Sequence, residues 1–198
     1  MTKSKNVVTM YPIISCIISY NSKSAITVTK KSEREYYVKQ YSLETYQLTF
    51  EEKVGGNPNQ YIKLKEVEQN SRGDYFAIVY IDDGLFRLRT FGETTRTEEE
   101  IEENELDINE LLGINNFTIP IYNFPDPFIT CTFVDDDWIF VNLFHQDTLT
   151  HHHFFFNHKT RVMRGKASVK LDSNRKNFPY KCFYSSEDNE IFSFYRQS

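Results

Sequence analysis

The sequence predicts an all-β fold built from meander repeats, and three observations predict it. Apolar segments of strand length follow one another, several with period-two alternation. The links between them are polar, turn-sized and rich in Asp, Asn, Ser and Gly. The whole pattern then recurs, with onsets near residues 13, 61, 128 and 180. The expected organisation is one β-rich domain over 1–198, with an acidic insert at 93–127 and a basic insert at 159–177.

The first unit comprises 13–20 (IISCIISY), 24–30 (SAITVTK), 35–41 (EYYVKQY) and 46–50 (YQLTF). In the second of these, Ala25, Thr27 and Thr29 face one way and Ile26 and Val28 the other. The run from Val54 through Gly55, Gly56, Asn57 and Pro58 breaks the pattern. It restarts at 61–67 (YIKLKEV) and 75–81 (YFAIVYI), the latter apolar enough to be buried on both faces. Asp82-Asp83-Gly84 is a hairpin signal, and 85–91 (LFRLRTF) alternates again.

Residues 93–110 are strongly acidic and rich in helix formers. They read as a solvated loop with a short helix, or as an acidic docking segment for a basic partner, with Glu98, Glu99 and Glu100 as its contacts. Pro120, Pro125 and Pro127 make 117–128 extended and irregular. Strands return at 128–134, 138–144 and 152–158, with a turn at Asp135-Asp136-Asp137. The basic stretch that follows reads as a solvated loop holding a short strand at 168–171. The strands 180–184 and 191–195 finish the chain, and ending inside a repeat suggests a truncated product or a fragment.

These repeats resemble WD40-like β-propeller repeats, and 61–91 looks like the first three strands of one blade. The Gly-His and Trp-Asp dipeptides of that family are missing; Asp137-Trp138 has the reverse order and begins a strand. The hydrogen-bonded staple those dipeptides build is therefore not carried over. The resemblance implies about four blades in a small ring or an incomplete one, whose open edges need a partner. A β-sandwich or barrel is the alternative that the same strands would serve.

Composition narrows the function. The formal net charge is −5, so no overall electrostatic drive toward nucleic acid exists. No apolar run approaches the length of a membrane span, and no signal peptide is evident, so the expected location is cytoplasmic. Cys16, Cys131 and Cys182 are dispersed and read as reduced thiols. No phosphate-loop or nucleophile-elbow motif is present, and no cofactor is expected.

The histidines all fall between His145 and His158. On a strand, His151 and His153 share a face and His152 points away, so at most two of the three converge and no zinc site is expected. Asp135–Asp137 reads as a turn rather than a Ca²⁺ loop. The expectation is a non-enzymatic protein–protein interaction module of a larger chain or complex. The alternative is a nucleic-acid-binding surface on which Arg87, Arg89, Arg161, Arg164, Lys166, Arg175 and Lys176 contact phosphates beside aromatic rings.

Overall fold

A computed structural model describes residues 11–19, 23–32, 34–55, 62–92, 105–113, 128–145, 148–170, 177–185 and 190–197. Strands β1 (Ile13–Ile18), β2 (Ser24–Ser32), β3 (Glu35–Ser42) and β4 (Leu48–Gly55) form the first sheet. The second holds β5 (Ile62–Gln69), β6 (Tyr75–Asp82), β7 (Leu85–Gly92) and β8 (Glu105–Asp107), followed by the one-turn helix α1 (Ile108–Leu112). The third contains β9 (Phe128–Phe133), β10 (Trp138–His145), β11 (Thr150–Asn157) and β12 (Met163–Lys170). A two-stranded fourth sheet pairs β13 (Asn177–Ser185) with β14 (Glu190–Gln197). Every sheet is an antiparallel meander in sequence order.

The turns follow from local chemistry. Asp83 and Gly84 both have positive φ, 46° and 85°, so the β6–β7 hairpin closes in two residues with the twist its strands need. The Asn70 side chain is fully buried and its Oδ1 accepts from the backbone N–H groups of Gly73, Asp74 and Tyr75. Asp135 Oδ1 accepts from Asp137 N and Trp138 N, which makes the triple-aspartate segment a turn.

Period-two alternation on β6 joins the sheets. Phe76, Ile78 and Tyr80 pack with Ile26, Val28, Tyr36 and Val38 of the first sheet. Ala77, Val79 and Ile81 pack instead with Ile139, Val141 and Leu143 of the third. The reading of 75–81 as buried on both faces is what the sheet order requires. The first strands of successive sheets meet, β1 with β5, β5 with β9 and β9 with β13. Among the described residues no comparable contact joins β13 to β1, and the ring is not closed.

The structure differs from the sequence reading at three outer strands. On the first sheet β4 is Leu48–Gly55 rather than 46–50, and Val54 and Gly55, expected to break the pattern, pair with Tyr36 and Glu35. Within the acidic segment, residues 105–107 pair with Arg87–Arg89 and complete the second sheet. Within the basic segment the strand is Met163–Lys170, eight residues long and earlier in the chain than expected. These last two lie at sheet edges, where half the backbone groups and most side chains face water, so neither carries an apolar pattern.

Candidate protein-interaction site

The outer rim between the second and third sheets gathers most of the described candidate residues. Arg87 projects from β7 toward two carboxylates of β8, with Nε 3.6 Å from Glu105 Oε1 and Nη1 3.0 Å from Asp107 Oδ2. Glu105 also accepts a short hydrogen bond from the Tyr80 hydroxyl. Burial and that carboxylate push the Tyr80 phenol well above its ordinary range. Arg89, buried, is paired with Glu52 of β4 and lies over the Phe91 ring at 5.2 Å.

The α1 turn is held locally. Asp107 Oδ1 caps it by accepting from Glu110 N, and Gly113 ends it in the left-handed conformation at φ 66°. Asn109 Oδ1 accepts from Phe86 N at 2.7 Å, tying the helix to β7. From the third sheet, Arg161 Nη2 donates to Glu105 O at 3.0 Å and Lys166 Nζ donates to Leu112 O at 3.1 Å. Basic and acidic segments thus meet within one chain. Between them an open groove of about 540 Å³ is lined by Arg87, Glu105, Asp107, Glu110, Leu111 and Arg161, among others.

Arg164 lies over the Trp138 ring at 5.2 Å, and Arg161 over Phe156 at 5.7 Å. Arg175, Lys176, Glu98, Glu99 and Glu100 lie outside the described residues. The partners Glu52, Glu105 and Asp107 had no signal of their own in the sequence, because each is chosen by strand register. Trp138 did carry one, as the only tryptophan of the chain.

The histidines divide between the faces of the third sheet. His151 and His153 share the face of Phe140, Asn142 and Phe144, their ring centroids 4.5 Å apart. His152 takes the opposite side, its Nδ1 2.9 Å from Ser168 Oγ. His145 Nδ1 is 2.9 Å from Thr148 Oγ1, and His158 Nε2 is 3.1 Å from Asp136 O. Burial holds the His151 imidazolium down to about 3, with His153 and His152 adding repulsion. Among the described residues no group of three or more His, Cys, Asp or Glu is arranged to hold a metal ion. Asn142, fully buried at the cross-strand position to His153, has neither amide atom hydrogen-bonded. Its signal was plain: it is the one polar residue between Trp138 and Phe144.

No family model matches the chain. No curated protein matches it in sequence. Solved structures do match in fold. TolB from Acinetobacter baumannii aligns over 97% of this chain and 40% of its own, at 11% identity and a TM-score of 0.53. The dihydro-heme d1 dehydrogenase NirN aligns over 95% and 34%, at 9% identity and 0.50. The RRP9 WD40 repeats align over 96% and 52%, at 8% identity and 0.49. The chain therefore spans about half or less of the length of these neighbours. TolB and NirN are propeller-fold proteins, and at these identities the likeness concerns the fold alone. The fold is all-β and propeller-like, with an open ring.

Proposed function

We propose that the chain is a non-enzymatic protein–protein interaction module, working within a larger chain or complex. The observation that carries this reading is the contrast between the inner sheets and the ends of the open stack. The second sheet is packed on both faces. The first sheet leaves Ile13, Ile14, Ile18 and Leu48 exposed, Ile18 at 63%, and the fourth leaves Ile191 and Phe192 exposed. Ile17 turns toward the second sheet while Ile18, one residue on, turns away from it. Internal sheets cover such side chains with the next sheet in line, so the natural occupant is another β-sheet face.

Binding rather than catalysis is also favoured by the fate of the one described core thiol. Cys131 is buried and its pKa lies well above the ordinary value, so it is no nucleophile. Two of the cations expected to meet nucleic acid, Arg87 and Arg89, already face carboxylates. Among the described residues no helix is long and apolar enough to cross a membrane.

The test is the mass in solution. The isolated chain is expected to associate above its 23.5 kDa monomer in light scattering, and Ile18→Asp to return it to monomer. A protease-resistant monomer at every concentration would overturn the reading.

A further inference from the structure

A different surface, the outer edge of the third sheet, specifies a partner class of its own. Strand β12 pairs with β11 on one side only and is exposed at every residue from Arg164 to Lys170. Every second N–H and C=O along such an edge points outward, and among the described residues none of them bonds backbone outside its own sheet. Four cations line or flank it: Arg161, Arg164, Lys166 and Lys170. Among the described residues none of the four has a carboxylate partner. Arg161 and Lys166 spend one donor each on backbone carbonyls, and Arg164 rests on Trp138.

The outer edges of the first and second sheets are built differently. On β4, Glu51 pairs with Lys39 at 2.8 Å and Lys53 with Glu35 at 3.4 Å, so the charge is neutralised inside the sheet. On the second sheet, β8 is three residues long and runs straight into α1. Of the outer strands of the three four-stranded sheets, β12 combines length, exposure and charge of one sign that no described carboxylate compensates.

We propose that this edge binds an extended acidic peptide segment, which adds to the third sheet as a fifth strand. The proposal rests on the reading of the chain as a protein-binding module. Backbone hydrogen bonds to β12 supply the pairing, carboxylates at alternate peptide positions meet Lys166 and Lys170 on one face, and a carboxylate past the register shift at Gly165 meets Arg164 on the other. The same cations repel a second copy of β12, which removes self-pairing through this edge. Gly165, at φ 61° and with a Cβ position 3.0 Å from the Phe155 ring, sets a bend in the edge that the incoming strand follows.

The probe is a fluorescein-labelled peptide of about ten residues alternating Glu with Val and Thr, titrated into the full chain at low salt. Saturable binding is expected, weakened roughly tenfold or more by Arg164→Glu with Lys170→Glu, and unchanged by Ile18→Asp. Amide hydrogen exchange should slow along 163–170 when the peptide is bound. N-methylation of alternate peptide residues preserves its charge and should abolish binding in at least one of the two registers. Unchanged affinity for both N-methylated peptides would overturn strand addition in favour of capture by charge alone. Absence of binding, or tighter binding of a single-stranded RNA oligomer that the same variants abolish, would overturn the proposal outright. A chain that stays monomeric yet binds the peptide defeats only the end-face reading, and one that associates yet ignores the peptide defeats only this one.

Discussion

The two faces of the third sheet use the same strands and reach opposite solutions. Toward the second sheet, Ile139, Val141, Leu143, Phe154 and Phe156 form an apolar layer, with His145 and His152 only at its end. Toward the fourth, the intervening residues are Phe140, Asn142, Phe144, His151 and His153. The first face stabilises by excluding water from hydrocarbon. The second buries an amide and two imidazoles, which costs free energy unless each polar atom is satisfied. Burial alone therefore says little about stability; what is buried decides the sign.

The comparison breaks most readily at adjacent phenylalanines. Phe154, fully buried in the apolar layer, should lose about 3–5 kcal/mol on truncation to Ala. Phe155, half-buried on the other face, should lose only about 1–2 kcal/mol. Chemical denaturation of both variants measures the pair, and equal losses would erase the distinction between the faces.

Acid tests the imidazole face. The His151 pKa is about 3 in the folded chain, against 6.5 for a free imidazole, so below pH 6.5 the unfolded chain binds a proton that the folded chain refuses. Stability should be complete above that value and fall as pH drops toward about 3, by up to about 1.4 kcal/mol per pH unit for that proton. His153 on the same face, and His152 on the other, are also shifted down and steepen the loss. His151→Phe should flatten the profile, and melting temperatures with the same pH dependence in variant and wild type would contradict this.

Smaller effects sharpen the same contrast. Asn142→Leu, which removes two unbonded buried polar atoms at nearly constant shape, should raise stability by about 1–2 kcal/mol in a thermal or denaturant melt. A lowered melting temperature would mean that the amide is satisfied after all. At the bottom of the scale, removing the Lys39–Glu51 pair on the first sheet should change stability by less than about 1 kcal/mol. A double-mutant cycle on that pair measures how little a solvated edge contributes beside either face of the third sheet.

Much of this was legible in the chain. The apolar runs YFAIVYI and WIFVNLF mark strands, and Asp82-Asp83-Gly84 marks the hairpin from β6 to β7. The separation of His152 from His151 and His153 followed from the two-residue period of a strand. Less was legible at the rim. Glu105-Leu106-Asp107 is too short to show a period, and MRGKASVK is too polar, so the two outer strands read as inserts. The pairing of Arg89 with Glu52 spans 37 positions and depends on how the first sheet sits against the second.

By itself the sequence determined most of the strands, their turns and the recurrence of a three-stranded unit, because those depend on local backbone preferences and on which side chains seek water. It also placed the cations of 161–170 and the exposed isoleucines of β1 in view. Only the tertiary structure decided which charges are spent inside the protein and which remain for a partner. Arg87 and Arg89 are held by carboxylates from other strands, whereas among the described residues no carboxylate holds Arg164 or Lys170. The physical reason is range: a hydrophobic period is written in neighbouring residues, but an ion pair needs two side chains within a few ångströms, and packing alone brings distant segments that close.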